Sequence, residues 1–328
     1  MMKKMLYMIG AALVLLLGAG CEKVIEFEGE ITEPRLTVSG QAEVGEPLTV
    51  YVASSLFFLT DEKLGAAFTD GLDTLRGQVR CYVNGAKEPH VFTLQPRKEF
   101  ASALPYCALD YSPAPGDRIR LEAEFPGFHP VWAETVVPRT PAFEIVAAKW
   151  RKMTEMQGLG WLTGETDEEE YWYNEVELTL AVTDDASYDK YYFIQPAVQY
   201  HSEFFGEEDY FVIYGFSSND ILFREMSGNN AMRMIDEEGN YFSDKLIKGQ
   251  RREFTITVSM LPERDESMRF WIHSAAVNES LYWFDYSYSQ VHEGATGLFA
   301  EGVTLYSNIN GGYGVFGGAA SCWLEVDW

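Results

Sequence analysis

Alternation of apolar and polar residues, interrupted by glycine and proline turns, is the feature that most narrows what this chain can fold into. Ile119, Leu121, Ala123 and Phe125 alternate with Arg118, Arg120, Glu122 and Glu124, so an extended segment has one apolar and one charged face. A helix would spread the same residues around its circumference. The period of two recurs at Leu36 and Val38, through residues 48–52, 79–83, 176–182 and 268–272, and at Phe254, Ile256, Val258 and Met260. Asn84-Gly85 and Pro115-Gly116-Asp117 supply the residues that hairpin and tight turns require. Short strands with such punctuation, and no helices between them, predict a mainly β chain.

Two prolines close together, Pro138 and Pro141, favour an extended connector and divide the chain. Residues 30–138 are predicted to form an immunoglobulin-like or transthyretin-like β-sandwich. Residues 139–328 are predicted to form a second β-rich domain with one short helix. In that helix Asn278 is the cap and Glu279 suits the positive end, while Leu281, Phe284, Tyr288 and Val291 recur at helical spacing as the inward face. Residues 151–170 lack periodicity and are expected to be an exposed insertion.

Lys3 and Lys4 precede an uncharged apolar stretch over residues 6–17, and Gly18, Ala19 and Gly20 lead up to Cys21. The stretch is too short for a membrane span, and the order is that of a secretory signal. It resembles the bacterial lipoprotein signal. That resemblance implies a signal peptide over residues 1–20, lipid on Cys21, a lipidated linker over 21–29, and a membrane hold in which each buried CH₂ contributes about 0.8 kcal/mol. Glu22, Glu26 and Glu28 resemble an export signal to the cell surface, so the expected location is the outer membrane, surface-exposed rather than periplasmic. With 25 basic and 50 acidic residues the net charge is −25, which argues against nucleic acid and anionic headgroups as partners. Beyond Cys21 the cysteines are Cys81, Cys107 and Cys322, without metal spacing. Cys81 and Cys107 share a predicted domain and are the candidates for a disulfide.

Residues that could carry chemistry are sparse. His90, His129, His201, His273 and His292 form no paired-histidine motif, and no nucleophile elbow occurs. His273 is expected on the outward face of its strand. The glycines of Gly312-Tyr313-Gly314-Val315-Phe316-Gly317 satisfy the dinucleotide fingerprint by letter, but Trp323-Leu324-Glu325-Val326 beyond them reads as a strand, where that motif needs a helix. Tight turns or close backbone packing explain them better. Consecutive acids such as Asp184-Asp185 and Asp236-Glu237-Glu238 do not give the converging oxygens that calcium needs. No catalytic, cofactor-binding or metal-ligating residue is assigned. Aromatic residues are plentiful, and exposed rings stack on sugars or centre protein interfaces. Tyr282, Trp283 and Tyr286 are the first candidates for a partner or ligand surface, and Tyr171, Trp172 and Tyr173 the second; burial in a core is the competing reading.

The run Tyr306-Ser307-Asn308-Ile309-Asn310-Gly311-Gly312-Tyr313-Gly314-Val315-Phe316-Gly317-Gly318 resembles the closing signature of a Bacteroidota lipoprotein family, domain of unknown function 4249. Asn278-Glu279-Ser280-Leu281-Tyr282, Leu36-Thr37-Val38-Ser39-Gly40, Gly77-Gln78-Val79 and Thr135-Val136-Val137-Pro138 fit the same family. The resemblance implies a neighbour, since members are commonly encoded beside TonB-dependent transporters that import glycans, peptides or chelated metals. It implies a non-catalytic cell-envelope lipoprotein, an accessory or substrate-capture partner of such a transporter. The alternative is an envelope-anchored enzyme acting on glycan or peptide, with no identifiable catalytic residues.

Overall fold

The computed structural model describes residues 33–55, 76–95, 106–157, 169–202, 208–223, 240–263, 268–294 and 304–327. Its strands are β1 (Leu36–Glu43), β2 (Thr49–Ser54), β3 (Gln78–Val83), β4 (His90–Val91), β5 (Thr93–Gln95), β6 (Tyr106–Ala108), β7 (Arg118–Glu124) and β8 (Val131–Val136). They continue with β9 (Ala142–Gln157), β10 (Glu169–Thr183), β11 (Tyr191–Ser202), β12 (Glu208–Ile213), β13 (Asn240–Ser243), β14 (Arg251–Leu261), β15 (Met268–Val277) and β16 (Tyr313–Val326). Helix α1 (Glu279–Gly294) lies between β15 and β16. The chain is mainly β, as the alternation requires.

Among the described residues the strands form three sheets. A nine-stranded sheet runs β12-β11-β15-β16-β1-β2-β6-β5, with β13 also paired to β11. A four-stranded sheet runs β4-β3-β7-β8, and a three-stranded sheet runs β14-β10-β9. Every pairing in the large sheet is antiparallel except β1 with β16, which are parallel, with Gly40 beside Phe316.

One face of the large sheet closes two cores. At the β1–β2 end, Leu36, Val38, Val50 and Val52 pack on Val79, Cys81, Ile119, Leu121, Ala123 and Val131 of the four-stranded sheet, with Phe316 of β16 among them. At the other end, Tyr192, Ile194, Phe270 and Ile272 pack on Val176, Leu178, Leu180, Phe254 and Ile256 of the three-stranded sheet. The opposite face of the large sheet carries α1, through Tyr191, Ala275, Val277, Val315 and Ala319 against Leu281 and Tyr282.

The turns behave as their residues dictate. Asn84 and Gly85 both take positive φ, 53° and 73°, and the Ala86 N–H closes the turn on the Val83 carbonyl at 3.0 Å. Gly116, at φ 89°, serves the turn in which the Asp117 N–H bonds the Ala114 carbonyl at 3.0 Å.

Four expectations need correction. Residues 137–141 do form a connector, but they do not separate two compact domains: Pro34–Trp328 is one unit, because β16 returns to pair with β1 and places Phe316 in the first core. Residues 151–157 are not an insertion. They extend β9, and Arg151 faces Glu175 while Gln157 faces Glu169. Met260 does not follow Val258 inward: a bulge gives it φ 61° and half exposure, and Leu261 is buried in its place. On α1, Leu281 and Phe284 pack inward as expected, but Tyr288 is exposed and Tyr282 is buried, its ring lying flat on Tyr191 at 3.7 Å and 7°.

Candidate functional site

The run from Ser307 to Gly318 is a junction where both sheets of the first core meet the helix. Strand β15 stops pairing with β16 at Val277–Ala319, so the backbone of Phe316 has no strand on that side. The Asn308 side chain fills the gap. Its Oδ1 accepts from the Phe316 N–H at 2.9 Å, and its Nδ2 donates to the Phe316 carbonyl at 2.8 Å. Asn310 joins the four-stranded sheet by exchanging backbone hydrogen bonds with Trp132, at 2.8 and 3.3 Å. Gly314, at φ 105°, lies so close to β1 that a Cβ would sit 2.0 Å from the Val38 carbonyl oxygen. A Cβ on Gly317 would meet Leu281 of α1 at 2.3 Å. The glycines therefore serve backbone packing at the start of a central strand.

Asn278 begins α1 by accepting the Leu281 N–H at its Oδ1, 3.2 Å, and ties the helix to β8 by donating to the Thr135 hydroxyl at 2.6 Å. The Tyr241 hydroxyl of β13 holds the other side of α1 by donating to the Asp285 carboxylate. Between α1 and residues 304–313 runs an open groove of about 600 Å³. Trp283, Tyr286 and Gln290 line its helix side, and Thr304, Leu305, Tyr306, Ser307 and Tyr313 the other. The Trp283 indole N–H is fixed by the Glu279 carboxylate at 3.2 Å, and its ring stands at 86° to Tyr286, 5.7 Å away. Arg35 lies over the Tyr313 ring at 5.6 Å.

A second aromatic group stands beyond the helix, toward β12. The Trp323 ring stacks on His273 at 4.4 Å and meets Phe211 at 5.1 Å and Trp271 at 6.5 Å. Trp271 donates its indole N–H to Gln199 at 2.8 Å. His273 is on the outward face, as expected, but the tryptophan covers it. Burial holds the His273 imidazole below its ordinary pKa, against an opposing pull from Glu43.

Asp184 and Asp185, which follow β10, surround a lysine. The Lys190 ammonium lies 2.9 Å from Asp184 and 2.7 Å from Asp185, with Lys190 and Asp184 both buried. Asp184 also accepts from the Tyr192 hydroxyl at 2.7 Å and the Gly249 N–H at 2.6 Å. Burial alone would raise the Asp184 carboxyl; these donors and Lys190 outweigh it and hold the group below its ordinary range. The pair thus has its cation within the chain. Among the described residues no group of three or more His, Cys, Asp or Glu could hold a metal ion.

Of the residues singled out by sequence, Trp283 and Tyr286 come together in the groove, whereas Tyr282 belongs to the core beneath it. Tyr173 is half-buried on β10, and the side chains of Tyr171 and Trp172 lie outside the described residues. Cys21 also lies outside them. Cys81 is a free, buried thiol, its pKa pushed up to about 11 by burial, and is not in a disulfide. The Cys107 backbone pairs with Val50 in the other sheet, and its side chain lies outside the described residues. The sequence reading missed Tyr313, Leu305, Phe211 and Trp323 as exposed residues. Alternation offered a signal for Trp323, which is out of phase with the buried Val326.

The family model for the Domain of unknown function (DUF4249) matches residues 22–322. No curated protein matches the chain. Among solved structures the chain is similar to carbohydrate-binding modules of the β-sandwich superfamily, at 11% identity and TM-score 0.18, over 75% of this chain and 97% of that one. At that score nothing about binding transfers. The extent of the family match decides the matter, and the chain belongs to the DUF4249 family.

Proposed function

We propose that this protein is a lipid-anchored, non-catalytic component of the bacterial outer membrane that assists a TonB-dependent transporter, as accessory or as substrate-capture partner. The observation that carries the reading is the contrast between the faces of the large sheet. One face is spent on two cores, while the aromatic groups beside and beyond α1 leave Phe211, Trp323, Tyr313 and Trp283 at 47, 45, 42 and 37% exposure. Large rings left in water at such density mark binding surfaces, and a few central aromatics can each contribute about 2 kcal/mol or more to a complex. The signal-like N-terminus with Cys21 supplies the anchor in this reading. The net charge of −25 suits a tether that stands off anionic lipid and meets basic protein loops.

The test has two arms. Metabolic labelling with a fatty acid should mark the wild-type protein and not Cys21→Ala; label on the variant contradicts the anchor. Tagged protein pulled from detergent-solubilised outer membrane should enrich a TonB-dependent transporter over an unrelated lipoprotein. Equal recovery from both contradicts the association.

A further inference from the structure

We propose that the groove between α1 and residues 304–313 binds an uncharged oligosaccharide, with Trp283 and Tyr313 as its stacking platforms. This deepens the substrate-capture role above by naming the ligand class. The lining decides the class. In a chain with 50 acidic residues, the described residues that line the groove include no aspartate, glutamate, lysine, arginine or histidine. The charges nearest it are already engaged with its rings, Glu279 with the Trp283 indole and Arg35 over Tyr313, and the overall charge of −25 would repel an anionic ligand. The wall offers flat rings together with neutral hydrogen-bonding groups: the Gln290 amide and the Thr304 and Ser307 hydroxyls. Pyranose rings require that combination, with C–H faces for the aromatic planes and hydroxyls for neutral donors and acceptors.

Other neutral ligands fit less well. A peptide read by strand addition needs an open sheet edge, and this groove is bounded by a helix and a segment that forms no strand before Tyr313, where β16 begins already paired to β1. An acyl chain would favour an enclosed aliphatic cavity, and here aromatic rings stand beside hydroxyls in an open cleft. The volume of about 600 Å³ is within the roughly 300–1,000 Å³ usual for small-ligand sites. Trp283 is oriented before any ligand arrives, by its bond to Glu279 and its edge contact with Tyr286, so little freedom is lost on binding.

Native affinity electrophoresis of the full chain in detergent tests the proposal, in gels containing xylan, laminarin, galactomannan or starch, with polygalacturonate as the anionic comparison. Retardation by at least one neutral polysaccharide is expected, and Trp283→Ala and Tyr313→Ala should each weaken it at least tenfold. Val146→Ala, at an exposed position of β9 outside the groove lining, should leave it unchanged. Circular dichroism of each variant establishes that it is folded, and quenching of tryptophan fluorescence by the matching oligosaccharide, lost in Trp283→Phe, gives a second readout. No retardation by any neutral polysaccharide, retardation by polygalacturonate alone, or binding that survives in folded Trp283→Ala and Tyr313→Ala overturns the proposal. The transporter pull-down uses no glycan, so either idea can fail while the other stands.

Discussion

The two cores under the large sheet are built differently. The first is mostly aliphatic, with Leu36, Val38, Val50, Val79, Ile119 and Leu121, and it borrows Ile309 and Phe316 from the far end of the chain. The second uses only residues beyond Pro141 and is crowded with rings: Phe143, Tyr192, Phe223, Phe242 and Phe254 meet edge-on or tilted at 5.3–6.5 Å. It also holds the Lys190–Asp184 ion pair at its margin. Aliphatic side chains pack from any direction, so a strand supplied late can complete the first core. The second relies on oriented rings and a polar network, and its strands come from one continuous stretch. A core's location in space therefore need not follow a break in sequence, and a connector such as residues 137–141 can cross between cores that share a sheet.

Removal of residues 304–328 is the harshest way to break this comparison. It strips β16 from between β1 and β15 and takes Ile309 and Phe316 out of the first core. Cooperative unfolding of both cores should disappear, as read by circular dichroism during urea titration. A surviving transition from the first core would make that core independent after all.

Lys190→Met addresses the second core alone. It leaves Asp184 buried without its cation and should lower stability by about 3–5 kcal/mol, measured by chemical denaturation. The pH dependence sharpens the point. Asp184 and Asp185 titrate lower in the folded protein than in the unfolded chain; at Asp185, as at Asp184, the bonds to Lys190 and its neighbours outweigh burial. Their contribution is therefore present above about pH 4 and lost as pH falls through the folded values. In Lys190→Met that acid-sensitive portion should shrink; an unchanged pH profile would show that the pair does not set it.

Asn308→Ala tests the junction of the first core with α1. It deprives the Phe316 N–H and carbonyl of their partners and should cost about 1–3 kcal/mol for each group left unpaired in the interior. Exposed Trp323→Ala, on the face away from both cores, should shift stability by about 0.5 kcal/mol or so. A loss near that of Asn308→Ala would mean that the aromatic group around Trp323 is structural.

Much of the fold was legible where one face of a strand is buried and the other wet. Residues 118–125 and 176–182 show the alternation and are buried at the alternate positions it marks. Asn84-Gly85 and the Asn278 cap were legible because backbone geometry demands those side chains. The β9–β10 extension was hidden because it begins with charged residues, Arg151 and Lys152, which pair with Glu175 at 3.5 Å and Glu263 at 2.6 Å, rather than with an apolar stripe. The parallel pairing of β1 with β16 left no local mark, since register between distant strands is set by the glycines' close approach and not by period. The site was half legible. Trp283 and Tyr286 were found from their density on the helix, whereas Tyr313 and Leu305 reach the groove only through a turn of the chain that periodicity does not describe.

The central claim is that one sheet joins both cores through its inner face and carries α1 and the exposed aromatic groups on the other. Differential scanning calorimetry of the full chain and of Phe316→Ala tests it most directly. The account predicts a single transition that moves as a whole in Phe316→Ala, by an amount consistent with about 3–5 kcal/mol for a buried phenylalanine, while Trp283→Ala leaves it in place. Two resolved transitions, of which Phe316→Ala shifts only one, would contradict it.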